Sequence, residues 1–139
     1  LSEGLLLDTH CWIWMHLGLM GSFRSEAIRA IRVAAHNHLL HVSAISAWEI
    51  GLLESKGRLE LDLDCELWIE RALTIPGLNV APITPAIAVR STRLPGDFHG
   101  DPADRILVAT ARVNNACLLT KDQKILDYAR QKHVRVMQA

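Results

Sequence analysis

Leu5-Leu6-Leu7-Asp8 is the stretch on which the fold turns: three consecutive leucines closed by a carboxylate. An apolar run this short, with no polar alternation, is the signature of a strand buried on both faces, as in a parallel sheet with helices on either side. The same figure returns as Leu118-Leu119-Thr120 followed by Lys121 and Asp122. Further apolar runs complete a set of five predicted strands, at 5–8, 39–43, 78–83, 117–120 and 134–137. Helical periodicity fills the intervals at 10–19, 25–36, 45–55, 64–73, 85–93, 102–115 and 123–132. Strand alternating with helix predicts a three-layer α/β/α domain with a mainly parallel central sheet. In such sheets ligands collect at the carboxyl ends of the strands, where Asp8 and Asp122 stand. Gly57 closes the third helix, Pro76 and Gly77 precede the third strand, and Pro102 suits a first helical position.

With 139 residues, half of them hydrophobic, the chain is sized for one domain with one core. It has no internal repeat, linker or low-complexity segment. Because it opens on Leu1, residues 1–4 are read as an added, trimmed or flexible start. Fifteen basic and 15 acidic residues cancel, so no global positive field marks a nucleic-acid binder. Eleven of the bases are Arg, which suits phosphate but also ordinary surface solvation. Cys11, Cys65 and Cys117 are odd in number and set among apolar neighbours, which fits free thiols in a reducing cytoplasm. No apolar stretch approaches the roughly 18 residues of a membrane span, and the start lacks a secretory pattern. The acidic stretch 58–70, around Trp68, reads as a solvated amphipathic element.

Four acids sit where a carboxylate is costly. Asp8 and Asp122 follow buried strands. Glu49 shares a helix face with Ile45, Leu52 and Leu53, and Asp104 shares one with Leu107, Val108 and Ala111. An ionised carboxylate pushed toward a core costs several kcal/mol unless paired or metal-bound. Capping is the competing account: Ser46 with Glu49 fits a capping box, Asp101 fits the N-cap before Pro102, and Asp122 fits the cap of the last long helix. Capping leaves Asp8 unexplained, and it does not explain four acids reaching one sheet edge. A site for a hard divalent cation does, and its natural chemistry is phosphodiester hydrolysis, in which the ion activates water and screens phosphate charge.

Three stretches, Leu5 to His10, Val42 to Ile50 and His99 to Ala111, resemble successive signatures of PIN-domain ribonucleases, and Leu118 to Asp122 resembles the fourth. Order and spacing match over nearly the whole chain, and within the family the likeness is to VapC-type toxins of prokaryotic toxin–antitoxin pairs. The resemblance implies Asp8, Glu49, Asp104 and Asp122 as the catalytic quartet holding Mg²⁺ or Mn²⁺. It also implies RNA cleavage leaving a 5′-phosphate and a 3′-hydroxyl, a homodimer, and a cognate antitoxin that covers the acids. Asp101 is a second-tier candidate through its position one turn before Asp104. Thr9 and Thr120 adjoin site acids and suit either orienting a carboxylate or satisfying backbone groups at strand ends. Arg105 suits pairing with an acid or meeting substrate phosphate. No Lys or His is expected beside the quartet, so water rather than a covalent nucleophile is expected to attack.

Other constellations read less well. His36, His38 and His41, or His10 with Cys11, invite zinc, but their spacing does not converge across a helix-to-strand junction. Trp12, Trp14, Trp48 and Trp68 suit core or dimer-interface packing, with stacking on unpaired bases as the alternative. Trp48 in particular has the helical spacing of a core residue. A phosphoacceptor signalling domain would need paired acids at the first strand, where Asp8 stands alone. A noncatalytic PIN-fold binding module would keep the fold without needing all four acids. Single-stranded loops are the expected RNA targets, because there the backbone can bend into a shallow acidic site.

Overall fold

The computed structural model describes residues 4–139. The reading of the first residues as an added or flexible start lies outside them, except at Gly4. Gly4 already joins the ladder that leads into β1, its carbonyl accepting the Cys117 amide at 2.9 Å.

Five strands form one sheet: β1 (Leu5–Leu7), β2 (Leu40–Ser43), β3 (Leu78–Ala81), β4 (Cys117–Thr120) and β5 (Val136–Gln138). Their order is β3-β2-β1-β4-β5 and every pairing is parallel, so the sheet is wholly rather than mainly parallel. β1 lies at its centre, with Leu7 opposite Val42 on one side and Leu119 on the other. That position accounts for the leucine run: Leu5, Leu6 and Leu7 are all buried, and each buried leucine contributes about 1.5–3 kcal/mol.

The helices are α1 (Thr9–His16), α2 (Ser25–His36), α3 (Ala44–Ser55), α4 (Cys65–Ala72), α5 (Pro85–Ser91), α6 (Pro102–Val113) and α7 (Gln123–Ala129). One core lies between the sheet and α1, α2 and α4, where Leu5, Leu7, Val42 and Leu119 meet Trp12, Ile31 and Trp68. The other lies under α6 and α7, where Leu6 and Leu118 meet Leu107, Val108, Ile125 and Tyr128. Successive strand residues thus feed opposite layers, as the period of two requires. A short 3₁₀ turn, Met20–Ser22, was not foreseen between α1 and α2. Several predicted helices stop two or three residues early, among them α1 at His16 and α7 at Ala129.

Glycine is required at Gly77, which enters β3 with φ +83°. A Cβ there would lie 1.9 Å from the carbonyl oxygen of Ala35. Of the tryptophans, Trp12 and Trp68 are core residues in edge contact, with ring centroids 6.3 Å apart. Trp48 is 56% exposed, which corrects its reading as a core residue. Its helix buries Ser46 and Ile50, and Trp48 falls on the opposite flank. Cys11 is buried, its thiol pushed up to about 12 by burial. Among the described residues no helix is long and apolar enough to cross a membrane.

Candidate active site

All five acids singled out in the sequence face one cleft of about 370 Å³, lined by Asp8, Glu49, Asp101, Asp104 and Asp122 together with His10, Trp14 and Lys121. The cleft opens at the carboxyl ends of β1 and β4, and the topology explains why. Strands β1 and β4 deliver Asp8 and Asp122 directly. Helix α3 leaves the end of β2 and packs against α6, whose first turn carries Asp104.

Asp8 follows β1 and remains only 8% exposed. Its amide donates to the Leu119 carbonyl at 2.9 Å, and its Oδ2 accepts the Thr120 hydroxyl at 2.5 Å. The Thr120 Oγ1 in turn accepts the Asp122 amide at 2.9 Å, so one hydroxyl ties the two strand-end acids together. Thr9 does the same for Glu49, donating to Oε1 at 2.6 Å. Thr9 also lies 2.8 Å from the Ser46 hydroxyl. A hydroxyl has one proton, and Thr9 spends its own on Glu49, so Ser46 is the donor in that contact. The order Ser46 to Thr9 to Glu49 is a relay in which two buried hydroxyls fix a half-buried carboxylate.

The capping-box reading of Ser46 and Glu49 is therefore corrected. Helix α3 begins at Ala44, with Ser43 as its N-cap accepting the Ile45 amide at 3.1 Å. Ser46 is buried inside the helix, and Glu49, in the second turn, is beyond reach of the N-cap amide. The other two capping readings hold alongside the cleft. Asp101 Oδ1 accepts the Asp104 amide at 2.9 Å, and Asp122 Oδ1 accepts the Lys124 and Ile125 amides at 2.8 and 3.3 Å. The hydrogen bonds that orient Glu49, Asp101 and Asp122 fall on one oxygen of each carboxylate, while Asp8 accepts from the Thr9 amide as well as from Thr120.

Charge is crowded here. Burial raises the Asp8 carboxyl above its ordinary range against the opposing pull of Thr120, and burial raises Glu49 against Thr9. Asp104 is pushed up to about 7, first by burial and then by Asp101, Asp122, Asp8 and Glu49. Among the described residues its carboxyl accepts no hydrogen bond, so its electrostatic burden is unrelieved by the protein. A cation among these oxygens would reverse every one of these shifts. The donor set, carboxylate oxygen throughout, fits Mg²⁺ or Mn²⁺ rather than zinc. The acids share a cleft without closing on one point: among the described residues, no three His, Cys, Asp or Glu side chains form a finished metal site.

His10 and Lys121 line the cleft and overturn the expectation that no Lys or His flanks the acids, and Trp14, whose sequence reading left packing or base stacking open, joins them. His10 follows Thr9 directly, and Trp14 lies one helical turn on, ring centroids 6.3 Å apart. Lys121, next to Asp122, lies 4.9 Å over the Trp14 ring and donates to the Ser22 carbonyl. Adjacency to Asp8 and Asp122 was the available signal. Arg105, in contrast, faces neither an acid nor the cleft. Its Nε donates to the Ser91 carbonyl at 2.8 Å and its Nη1 to the Phe98 carbonyl at 3.0 Å, pinning α6 to α5 and to the loop between them. The His36, His38 and His41 group builds no metal site among the described residues. His99 pairs with Asp97 at 3.1 Å on an exposed loop.

Residues 5–131 match the PIN domain family. Over 132 residues the chain is 30% identical to Ribonuclease VapC22 of Mycobacterium tuberculosis (strain ATCC 25618 / H37Rv), covering 95% of this chain and 97% of that one. Its fold is similar to that in VapBC2 of Rickettsia felis bound to a promoter DNA fragment, with a TM-score of 0.68, 14% identity and 96% and 97% of the two chains covered. It is similar also to that in DNA-bound VapBC of Salmonella typhimurium, with a TM-score of 0.67, 13% identity and 99% and 98% coverage. The sheet, the acidic cleft at its carboxyl edge and these likenesses agree: the chain belongs to the PIN-domain family, among relatives of the VapC type.

Proposed function

We propose that this protein is a metal-dependent endoribonuclease acting as the toxin of a toxin–antitoxin pair. The observation that carries the reading is the convergence of Asp8, Glu49, Asp104 and Asp122, from four separate elements, on one cleft. Mg²⁺ or Mn²⁺ bound there would supply positive charge to the phosphodiester and lower the pKa of water. The chain's own residues do the rest. Asp8, Glu49, Asp104 and Asp122 would hold the ion, with Asp101 at the margin, while Thr120 and the Ser46–Thr9 pair keep Asp8 and Glu49 in place. His10 and Lys121 stand on the cleft wall, where they meet nonbridging phosphate oxygens. Trp14 in the wall and exposed Trp48 beside Glu49 offer faces on which unpaired bases stack, which favours single-stranded RNA.

The cognate antitoxin belongs to the same reading. A groove lined by Trp48, Leu52, Leu53 and Pro102 shares Glu49 and Asp101 with the acidic cleft, so a segment lying in it would cover the acids. A homodimer in the cytoplasm completes the proposal. No observation favours a noncatalytic module or a phosphoacceptor.

Cleavage of a structured total-RNA pool by the wild type and by Asp104→Asn, in Mg²⁺, Mn²⁺ or EDTA, tests the reading once fragment ends are mapped. Metal-dependent cuts with 5′-phosphate ends, lost in the variant, are expected. Products ending in 2′,3′-cyclic phosphate, or cutting that survives EDTA, would overturn it.

A further inference from the structure

A second concavity, of opposite charge, lies toward the other ends of the same helices. A cavity of about 460 Å³ is walled by Arg90, Arg112, Lys132, His133 and Arg135 over a floor of small apolar side chains. It shares no lining residue with the acidic cleft. On α6, Arg112 stands about 12 Å along the axis from Asp104. No carboxylate lines the cavity, and among the described residues none forms an ion pair with Arg90, Arg112 or Lys132. In a chain whose acids and bases are equal in number, that segregation is itself a signal.

The helix dipole explains only part of it. Arg90 and Arg112 occupy the last turns of α5 and α6, where cations complement C-terminal carbonyls. Lys132, His133 and Arg135 come from the connection between α7 and β5, to which that explanation does not extend. This connection is held in place. Gln131 exchanges two hydrogen bonds with the Asp97 backbone, accepting from its amide at 3.0 Å and donating to its carbonyl at 2.9 Å. Gly96 permits the approach, since a Cβ there would lie 2.2 Å from the Gln131 Oε1. His133 lies against Tyr128, with ring centroids 6.0 Å apart, and Arg135 donates to the Asn115 carbonyl at 2.7 Å. Arg135 is thus placed before a ligand arrives, and a group held in position loses less freedom on binding it.

We infer that this cavity is a phosphate-binding site. Guanidinium groups offer paired donors to phosphate oxygens, and Lys132 adds a point charge. The phosphate can belong to a free phosphorylated compound or to an RNA backbone remote from the acidic cleft. The inference stands independently of whether that cleft cuts RNA.

Binding measured in EDTA, by amide shifts and calorimetry at low salt, separates this site from any metal-mediated contact at the acids. The full chain is titrated with pyrophosphate and, separately, with a single-stranded oligodeoxynucleotide. Shifts are expected at 109–116 and 132–135, with affinity falling roughly ten- to a hundredfold in Arg112→Glu and in Lys132→Glu. Tighter binding of the oligonucleotide, with a salt slope smaller by about 0.7 for each phosphate that a variant no longer neutralises, would assign the site to a nucleic-acid backbone. Binding of pyrophosphate alone would assign it to a free anion. The Lys132→Gln variant, altered only on an exposed connection, repeats the measurement if either charge reversal loosens the fold. Absence of binding by both probes, or equal affinity in wild type and variants, would overturn the inference.

Discussion

Replacing Asp104 with Asn should destroy the function proposed for the cleft and, in the absence of metal, make the protein more stable. The Asp104 carboxyl is raised from 3.8 to about 7. A folded-state pKa above the unfolded one means that the folded protein holds the proton more tightly. The stabilisation this brings is full below about pH 4 and is lost as pH rises through about 7. Holding the proton that much more tightly would correspond to about 4 kcal/mol for a fully buried group. Asp104 is partly exposed, and solvent screening reduces this to about 1–2 kcal/mol. Asn keeps the shape without titrating, so in EDTA the variant should equal the wild type near pH 4 and exceed it by that amount at pH 8, or about 5 °C in Tm. Subtracting the two pH profiles removes the other carboxylates common to both. Mg²⁺ should then raise the wild-type Tm through binding to the folded state alone, by about 2.7 kcal/mol at a hundred times Kd, and leave the variant nearly unchanged. A variant that is less stable at pH 8 in EDTA, or a difference that does not vary with pH, would refute the electrostatic account of the site.

Thr120→Val removes the donor to Asp8 and the acceptor of the Asp122 amide; Mg²⁺ affinity by calorimetry should weaken about tenfold, as for other groups that orient metal ligands. Arg105→Ala should lower stability by about 1–3 kcal/mol in urea titrations by freeing the Ser91 and Phe98 carbonyls, while cleavage by the folded fraction stays within about twofold. Gly77→Ala should cost about 2 kcal/mol or more in the same titrations, because the left-handed backbone and the Ala35 carbonyl both oppose a Cβ. Trp68→Ala should cost about 3–5 kcal/mol and exposed Trp48→Ala under about 0.5, and equal losses would contradict their placement.

The fold was legible because one physical rule governs it. A central parallel strand must be apolar on both faces, so Leu5 to Leu7 and Leu118 to Thr120 stand out without any tertiary knowledge. Edge strands carry a weaker signal: β3 exposes Asn79 and Val80, and its apolar run continues past the pairing at Ala81, so its end was overestimated. Helix ends were misjudged where periodicity persists into the following turn. At α7, Lys132 takes φ +65° and the chain turns toward β5 before the apparent pattern ends.

The acids were legible for a related reason, since a charge set among apolar neighbours contradicts its surroundings and needs an explanation. Residues that do not contradict their surroundings gave no such warning. His10 and Lys121 are ordinary exposed residues in sequence, and only the approach of α1 to the carboxyl end of β4 puts them on the cleft wall. Glu49 shows the limit from the other side. Its spacing from Ser46 satisfies the capping-box rule, but that rule assumes that the helix begins at Ser46. Strand β2 runs into α3 without a loop, Ser43 takes the cap, and the Ser46 hydroxyl turns inward to Thr9. One shift of the helix start by three residues thus converts a local cap into a long-range link between α1 and α3. The link places a carboxylate from the second turn beside one from β1, and no pattern within either segment encodes that meeting. It depends on β1 and β2 being neighbours in the sheet, which is why the four acids, and Thr9 beside Asp8, can be singled out from sequence, while the partner of Thr9 in Glu49 and the support from Ser46 emerge only with the fold.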